Sequence, residues 1–531
     1  MANIKFWRQG EPYVWGTGLA LSLVLTLTFT LLYVVISNGV LVFWPKKVTL
    51  ATLHDGRHML GEVVQEENNP STGKARQQFK IGNRDLYGLD FKWVDTHAVK
   101  EFSVPPAAYV LERQEHGNFY GFLKELKTPG LVLPAEDKAN LQAAMELIEP
   151  QRGEVDKIDR KIAAINATME QKNHKLARLR YQKEENTPEA VALQDDVLKI
   201  RAEFERLVTL HGTKRAIVSA NEAVFTDADG REKSIVLADI VRCYQPNAMS
   251  WGAKLCYYGT RIHELLFAEP RESNTEGGLF PAIFGTIMLI FLMSIFSFPL
   301  GVIAGIYLRE YAKDGYLVKM VRIAVNNLAG IPSIVYGIFG LGFFVYGIGG
   351  QIDQFFFAEK LPTPTFGTGG ILWASLTLGL LTVPVVIVAT EEALGSIPPG
   401  IREGSQALAA TKFQTLTRIL LPMASPGILT GFILAMARAA GEVAPLMITG
   451  VVKLAPALPL DGTFPFLHLD RKFMHLGFHI YDIGFQSPNV EAAKPMVYVT
   501  TFLLILIVLI LTSTAIMLRN RMRERFSVAD L

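Results

Sequence analysis

Apolar residues in this chain gather in long runs, and polar segments separate one run from the next. A run of about 18 or more apolar residues is long enough to cross a lipid bilayer as a helix. Six runs reach this length, at residues 16–44, 280–308, 321–348, 369–390, 424–451 and 496–518. The first run is too long for a signal peptide and lacks a matching small-residue cleavage site. We therefore predict a polytopic α-helical membrane protein with six transmembrane helices.

Lysine and arginine residues indicate the direction in which the chain crosses the membrane. They lie before the first run, after the second, after the fourth and after the sixth, and these segments share one side if six helices alternate. Positively charged segments stay in the cytoplasm. We therefore predict a multi-pass protein of the bacterial inner membrane, with both termini cytoplasmic and residues 45–276 periplasmic. The basic residues concerned are Lys5, Arg8, Arg309, Lys313, Lys319, Arg322, Arg402, Lys412, Arg418, Arg519, Arg521, Arg523 and Arg525.

The polar part of the chain between the first and second runs is long enough to form a domain. Alternating apolar residues and turn signals predict short strands in residues 45–135 and again in 213–245, including AIVSA at 216–220. Apolar residues at helical spacing within 136–211 predict two amphipathic helices in a coiled-coil hairpin. The result is a large α/β domain, β-rich with an inserted hairpin. The hairpin either binds a partner or packs on its own domain.

Charge and cysteine content add little to this layout. The net charge is +2 over 531 residues, so nucleic acid is not an expected partner. Both cysteines, Cys243 and Cys256, lie in the predicted periplasmic domain, where a disulfide or two separate thiols are each possible. The predicted parts are the N-terminus with the first helix (1–44), the periplasmic domain (45–276), a core of five transmembrane helices (277–518) and a cytoplasmic tail (519–531).

A polar, helix-forming segment at residues 391–422 separates the fourth apolar run from the fifth. Its spacing resembles the loop by which the membrane subunits of ABC importers dock on their ATPase. That pattern runs Glu-Ala-Ala, three residues, Gly, nine residues, Ile, one residue, Leu-Pro. The residues of this chain at the pattern positions are Glu403, Gly404, Ser405, Ala409, Ile419, Leu421 and Pro422.

We call residues 391–422 the coupling loop. Three of its positions depart from the pattern. Gly404 and Ser405 replace the two alanines, which exchanges one small residue for another. Ala409 replaces the glycine, and glycine is the residue that adopts turn conformations most easily. The departure at Ala409 therefore bears on the bend between the two short helices of the loop.

The resemblance also implies how the loop works. Arg402 and Glu403 are expected to face water on a short helix, and Ala407, Leu408 and Ala409 are expected to enter a groove on the ATPase. Apolar anchors supply the affinity in this kind of helix-in-groove recognition. A plain solvated loop is the alternative.

From about residue 277 to its end, the chain resembles the PstA family, the permease subunits of bacterial phosphate ABC importers. The resemblance covers about half of the chain and does not reach the predicted periplasmic domain. It is carried by GGLFPAIFGT (277–286), PLGVIAGIYLREYA (299–312), NNLAGIPSIVYGIFGLGFFV (326–345), TVPVVIVATEEALGSIP (382–398) and ARAAGEVAPL (437–446).

This resemblance implies a type I ABC importer permease core and a set of partners. These are a second, PstC-like permease subunit, a dimer of a PstB-like ATPase, and a periplasmic PstS-like phosphate-binding protein. ATP and magnesium would be bound by the ATPase, with no cofactor on this chain. Phosphate and membrane lipid complete the expected contacts.

Two ionisable residues lie within the fifth apolar run, Arg438 and Glu442. An ionisable group at the centre of a bilayer costs about 2.5–3.5 kcal/mol on insertion scales, and such groups usually line a water-filled path. We interpret the pair as part of a pathway for an anion, because the guanidinium group suits phosphate oxygens. The alternative is a structural pair that neutralises itself.

Four uncharged polar residues in the core are further candidates for the pathway. They are Asn326, Asn327, Ser333 and Thr286. Each side chain can donate a hydrogen bond to phosphate. The preferred interpretation is that each bridges two neighbouring helices.

The sequence lacks the residues that would make this chain an enzyme. No Gly-x4-Gly-Lys-Ser/Thr loop for ATP is present, and no histidine spacing predicts a metal site. Two other functions stay open: a permease for another oxyanion such as sulfate or molybdate, or a membrane-anchored sensor or scaffold. The preferred prediction is a phosphate permease subunit driven by a separate ATPase.

Overall fold

A computed structural model describes residues 10–69, 73–128, 131–134, 138–184, 186–313, 315–462, 464–487 and 489–525. Two residues used for the membrane orientation, Lys5 and Arg8, lie outside this range. So does part of the predicted tail, residues 526–531.

Helices in the described residues are numbered in chain order. The first five are α1 Glu11–Val40, α2 Arg84–Tyr87, α3 Lys138–Tyr181, α4 Pro188–Ser219 and α5 Trp251–Phe267. The core begins with α6 Phe280–Ile306, α7 Tyr316–Leu328, α8 Ser333–Phe339, α9 Gly350–Phe356, α10 Ile371–Gly395 and α11 Pro399–Ala407. It ends with α12 Lys412–Thr415, α13 Leu421–Gly441, α14 Ala444–Thr449, α15 Leu476–Tyr481 and α16 Val490–Arg525.

Six helical segments in the described part of the chain are long and apolar enough to cross a membrane, which confirms the predicted number. Turns of π-helix extend three of them, at Tyr307–Tyr311, Gly340–Gly349 and Leu416–Leu420. The six segments are Tyr13–Phe43, Phe280–Tyr311, Ser333–Phe356, Ile371–Gly395, Lys412–Gly441 and Val490–Glu524.

Two of the predicted apolar runs are not continuous helices, and this corrects the sequence-based bounds. The run 321–348 is split between α7 and α8, where Pro332 precedes the first residue of α8. The run 424–451 is split between α13 and α14, where Glu442 has an extended backbone with ψ 132°. Apolar composition does not report these breaks, because a hydropathy window averages over the backbone.

Small residues allow the core helices to approach closely. A Cβ added at Gly301 of α6 would lie 2.6 Å from Cβ of Val386 on α10. A Cβ added at Gly431 of α13 would lie 2.2 Å from Cβ of Ala389, also on α10. Helices within membranes commonly associate through such small residues. Helix α10 therefore lies at the centre of the core, with α6 and α13 packed against it.

The domain between the first and second spans contains two antiparallel sheets, ordered β4-β3-β2-β1-β5 and β10-β9-β7-β6-β11, with β8 paired to β7. A small third sheet pairs β12 with β13. The first strands are β1 Val48–Leu53, β2 His58–Asn68, β3 Ala75–Lys80, β4 Phe91–Asp95, β5 Val99–Ser103, β6 Tyr109–Arg113, β7 Phe119–Thr128 and β8 Leu131–Pro134. The rest are β9 Glu222–Thr226, β10 Glu232–Val236, β11 Ile240–Tyr244, β12 Pro270–Arg271 and β13 Glu276–Gly277.

The helical hairpin is inserted into the second sheet, as predicted. Strand β9, which follows the hairpin, pairs with β7, which precedes it, and β11 pairs with β6. The base of the hairpin packs on this sheet, because Leu141 and Ile148 share a buried cluster with Phe119 and Phe225. Helix α3 has 44 residues and is therefore about 66 Å long.

The predicted bounds of the hairpin need one correction. Helix α4 ends at Ser219, not at residue 211, so most of the run AIVSA is helical and not a strand. The side chain of Thr187 accepts a hydrogen bond from Ala190 N and caps this helix, and Pro188 follows in its first turn. Cys243 and Cys256 are both thiols, so no disulfide joins them.

Candidate functional site

The coupling loop contains two short helices, α11 and α12, between α10 and α13. Helix α10 ends at Gly395, α11 follows after Pro398, and α12 starts at Lys412. Thr411 caps α12 through a capping box, in which its hydroxyl accepts from Gln414 N and Gln414 Oε1 accepts from Thr411 N. Such a reciprocal cap fixes the start of a helix.

The bend between α11 and α12 occurs at Ala409, the position at which the ABC importer pattern has glycine. Its φ angle is +62°, which is the left-handed region. A residue with a Cβ atom costs about 1–2 kcal/mol in this conformation. The turn therefore forms despite the exchange, and Ala409 carries the strain that a glycine would avoid.

Contacts between the two short helices hold the bend in place. The hydroxyls of Ser405 and Thr415 lie 2.9 Å apart and are buried. Beneath them, Ile397, Leu416 and Leu420 form a buried cluster with the end of α10. Ser405 replaces an alanine of the pattern, and its hydrogen bond to Thr415 is a contact that the sequence did not predict.

Arg402 does not face water, which corrects the prediction. Its guanidinium group donates to Glu310 Oε1 at 2.8 Å, Leu394 O at 2.7 Å and Ile397 O at 2.9 Å. These acceptors come from the end of the second span, the end of α10 and the turn before α11. Arg402 therefore fixes the loop to the core. Glu310 lies 92 positions away in sequence, and no sequence spacing signals this pairing.

The outer surface of the coupling loop carries exposed apolar side chains. Leu408 is 86% exposed and Phe413 is 66% exposed, although both belong to a loop whose underside is packed. Glu403, Gly404 and Ala407 are also exposed. Large apolar side chains presented this way typically bind a partner protein.

The last two residues of the pattern belong to the packed side of the loop. Leu421 packs against the buried cluster below the loop, and Pro422 lies in the first turn of α13. Proline fits that position because its missing N–H would have no partner there. They anchor the loop and do not form its exposed surface.

A second candidate region is the junction between α13 and α14, which we define by Arg438 and Glu442. The guanidinium Nε of Arg438 lies 3.5 Å from Glu442 Oε1, and these side chains are 33% and 20% exposed. Helix α13 ends at Gly441, so Arg438 lies in its last turn and Glu442 is the residue directly after it. Within the described residues, Glu442 is the one polar side chain or backbone group that Arg438 contacts.

Helix α8 packs directly beside this junction. Tyr336 shares a buried cluster with Ala439 and Leu446, and a Cβ added at Gly337 would lie 2.8 Å from Pro445 Cα. Both the break before α8 and the break before α14 therefore belong to one part of the core. Discontinuous helices are a common feature of transporter substrate sites.

Three of the four predicted polar residues lie near the break before α8. Asn326 and Asn327 are exposed at the end of α7, and Ser333 is half-buried at the first residue of α8. The hydroxyl of Tyr336 donates to Leu328 O at 2.7 Å and ties the two helices together. Sequence analysis did not select Tyr336.

Thr286 lies elsewhere and has a structural role. Its hydroxyl is fully buried, donates to Ala282 O at 2.7 Å and accepts from Leu476 N at 2.9 Å. Both of these groups belong to the protein, so the hydroxyl has no remaining proton for a substrate. This is the bridging role that was the alternative to a place in the pathway.

Comparison with known proteins places the core in a family. The model of the family "Binding-protein-dependent transport system inner membrane component" matches residues 297–524. "Probable phosphate transport system permease protein PstA" of Methanocaldococcus jannaschii is 34% identical over 221 residues, which cover 41% of this chain and 67% of that protein. "Probable ABC transporter permease protein YqgI" of Bacillus subtilis is 31% identical over 224 residues, which cover 41% of this chain and 70% of that protein.

A third relative agrees with the first. "Phosphate transport system permease protein PstA" of Yersinia pestis is 38% identical over 189 residues, which cover 35% of this chain and 58% of that protein. The family match begins within α6 and includes the coupling loop and the junction. The chain therefore belongs to the family of binding-protein-dependent transport system inner membrane components, and its core is that of a PstA-type ABC importer permease.

Proposed function

We propose that this chain is a permease subunit of an ATP-driven phosphate importer and forms half of the translocation pathway for inorganic phosphate. The observation that carries the proposal is the similarity of its core to two proteins named as phosphate transport permeases, at 34% and 38% identity. The sequence has no ATP-binding loop of its own. ATP hydrolysis is therefore assigned to a separate chain.

In the proposed orientation the coupling loop lies in the cytoplasm and the domain of residues 45–276 lies in the periplasm. Basic residues support this choice. Arg322, Lys412 and Arg519 all lie at the same ends of the six alternating spans as the coupling loop. The domain with the two sheets then lies at the opposite membrane face.

The proposed partners are those of a phosphate importer. They are a second permease subunit of the PstC type, a dimer of a PstB-type ATPase and a periplasmic PstS-type phosphate-binding protein. The family description itself names dependence on a binding protein. On this chain, Leu408 and Phe413 would supply the apolar contacts to the ATPase, because they are the large exposed side chains of the coupling loop.

ATP binding would close the ATPase dimer and move the coupling loop. That movement reaches the core through Arg402, which connects the loop to the second span and to α10. The membrane cavity would then open to the periplasm and accept phosphate from the binding protein. Arg438 would bind the anion as it passes, since its guanidinium group has donors that Glu442 does not occupy.

A reconstituted transporter tests this proposal. Proteoliposomes with the full-length chain, its partner permease, the ATPase and the binding protein should take up labelled phosphate only when ATP is present. Excess unlabelled phosphate should abolish uptake, whereas sulfate and molybdate should not. Competition by sulfate or molybdate would instead assign the pathway to another oxyanion. No ATP-dependent uptake of any of the three would favour a sensor or scaffold.

The substitution Glu403→Ala tests the coupling loop within the same system. Glu403 is exposed at the surface that would meet the ATPase. We expect the assembled complex to retain ATP hydrolysis and to lose phosphate uptake. Normal uptake per ATP hydrolysed in a fully assembled complex would argue against this role for the loop.

A further inference from the structure

Helix α5, Trp251–Phe267, connects the external domain to the core, and its surface has an unusual distribution of charge. Two of its charged residues, Arg261 and Glu264, point toward the protein, with side chains only 12% and 10% exposed, and the third, Lys254, is half-buried. The opposite side of the helix carries large apolar residues that stay uncovered. Trp251 is 72% exposed, Leu255 is 53% exposed and Phe267 is 64% exposed. A helix in contact with water normally has the reverse arrangement.

The polar side of α5 is held by an ion-pair network with the second sheet. Glu112 of β6 accepts from Arg261 at 3.0 Å and from Arg242 of β11 at 2.8 Å. Glu264 accepts from the same two arginines, at 2.6 Å from Arg261. The hydroxyl of Tyr257 donates to the second oxygen of Glu112 at 2.5 Å. This network fixes which side of α5 faces the domain and leaves the apolar side pointing away from it.

The first turns of α5 touch the end of the first membrane span. The hydroxyl of Tyr258 donates to Val40 O, at the last residue of α1, with a distance of 2.9 Å. The ring of Trp44, just beyond that span, lies 5.8 Å from the ring of Trp251. The guanidinium group of Arg261 lies 5.0 Å from the ring of Phe43.

The last turn of α5 touches the start of the second membrane span. Leu279 N donates to Leu265 O at 2.7 Å, and α6 begins at the next residue, Phe280. The end of α1 and the start of α6 lie on one side of the membrane, because no candidate span lies between them in the described residues. A helix of 17 residues, about 25 Å long, therefore contacts two span ends on the same membrane face.

We propose that α5 is an interfacial helix whose apolar side lies in the outer leaflet of the membrane, among lipid headgroups and the upper acyl chains. Aromatic residues concentrate at this depth of a bilayer, and amphipathic helices there bury one side in lipid. None of the exposed residues of α5 is an aspartate, glutamate, lysine or arginine. The helix would hold the external domain at a fixed height and angle above the membrane.

Continuity with the spans favours lipid as the occupant of this surface. Leu265 of α5 and Phe43 share one buried cluster with Leu279 and with Val499 of α16. This buried cluster packs α5 against the ends of the spans. Leu41, the residue after the Val40 that Tyr258 contacts, is 62% exposed, so the uncovered side of α5 lies beside apolar span surface that acyl chains would cover. A second protein covering this side is the competing explanation, and the test separates the two.

The exposed Cys256 on α5 supplies a probe. In the full-length Cys243→Ala chain, reconstituted in nanodiscs of phosphatidylethanolamine and phosphatidylglycerol, Cys256 is labelled with a nitroxide. Collision rates with oxygen and with a water-soluble nickel chelate are then measured. We expect oxygen access to exceed nickel access by about threefold or more, as for a site within lipid.

A matched control places the same label on the hairpin. Leu198 is 62% exposed on α4, and Leu198→Cys in a chain without Cys243 and Cys256 should favour the nickel chelate. The proposal is overturned if the label at Cys256 also favours the chelate, because this result would show that the label is in water. It is equally overturned if both collision rates at Cys256 are low, which means contact with protein.

A measurement without a label guards against disturbance by the nitroxide. The fluorescence of the wild-type chain minus that of Trp251→Phe isolates the emission of Trp251. Lipids brominated near the headgroup end of the acyl chains should quench at least about half of this difference, because interfacial tryptophans lie at that depth. An unquenched difference would contradict the proposal.

Discussion

Arg402 in the coupling loop and Arg438 at the junction both belong to the part of the chain that matches the family, yet their surroundings differ. Arg402 donates to one carboxylate and two backbone carbonyls from three segments of the chain. Within the described residues, Arg438 has a single polar contact, Glu442, at 3.5 Å. Arg402 uses its donors to fix the loop to the second span and to the end of α10. Arg438 keeps donors available for a ligand.

This difference separates two kinds of functional region. One side of the coupling loop is packed against the core by buried apolar residues and hydrogen bonds, and the other side exposes apolar side chains. This arrangement suits the transmission of force from a partner. The junction joins broken helices and exposes an incompletely paired charge, which suits a passing anion. Substitutions in the loop should therefore change stability and ATPase binding, whereas substitutions at the junction should change phosphate kinetics.

The largest expected effect on stability is that of Arg402→Ala. The change removes four hydrogen bonds to three acceptor atoms and leaves Glu310 without its partner, so the free energy of unfolding should fall by about 2–3 kcal/mol. Thermal unfolding of the purified chain in detergent measures this loss. Arg418→Ala is the matched control, since Arg418 is exposed in the same loop. Equal destabilisation by both changes would remove the contrast between the arginines.

The next effect is on ATPase binding. Leu408→Ser and Phe413→Ser should each weaken the affinity for the ATPase by about 10–100-fold, as for apolar anchors at an interface. Titration of the ATPase onto permease nanodiscs gives the dissociation constants. Phe464→Ser is the control, because Phe464 is 80% exposed but follows α14 in the segment proposed to be periplasmic. Wild-type affinity in both loop variants would exclude these side chains from the contact.

Glu442→Gln sharpens the account of the junction. Removing the carboxylate makes the region around Arg438 more positive, so the KM for phosphate should fall by about 3–10-fold. The unfolding temperature should barely change, because a partly exposed ion pair contributes less than about 1 kcal/mol. Uptake kinetics in proteoliposomes report the KM, with Glu359→Gln as the control. A lower unfolding temperature together with an unchanged KM would support a purely structural pair.

The smallest expected effect is that of Ala409→Gly. Glycine relieves the left-handed strain but is more flexible when unfolded, so the net gain should be about 0.5–1 kcal/mol. Ala407→Gly, at the last residue of α11, should instead destabilise by about 0.5 kcal/mol or less. In denaturant titrations, the midpoint of unfolding should rise for Ala409→Gly and fall for Ala407→Gly. A loss of stability in Ala409→Gly would show that the bend needs alanine for another reason.

Patterns of sequence were sufficient for the number of spans, for the inserted hairpin and for the position of the coupling loop. Each depends on local periodicity or on a spaced motif. The cap Thr187 illustrates this, because it is followed at once by Pro188 in the first turn of α4.

The positions at which the helices before α8 and α14 end could not be predicted from the apolar runs, because hydrophobicity does not report backbone geometry. Pro332 marked the first break, since proline lacks the N–H that a continuous helix requires. The pairing of Arg402 with Glu310 and the burial of Thr286 were also missed. Both depend on contacts between segments distant in sequence, and only the packed fold reveals them.

Phosphate uptake by Arg438→Ala tests the central claim most directly, because the claim assigns the unoccupied donors of this arginine to the transported anion. In proteoliposomes with all partners present, uptake should fall by at least about 100-fold, while Arg438→Lys retains part of it. ATPase binding and unfolding temperature should match those of the wild type. Wild-type uptake by Arg438→Ala would contradict the account.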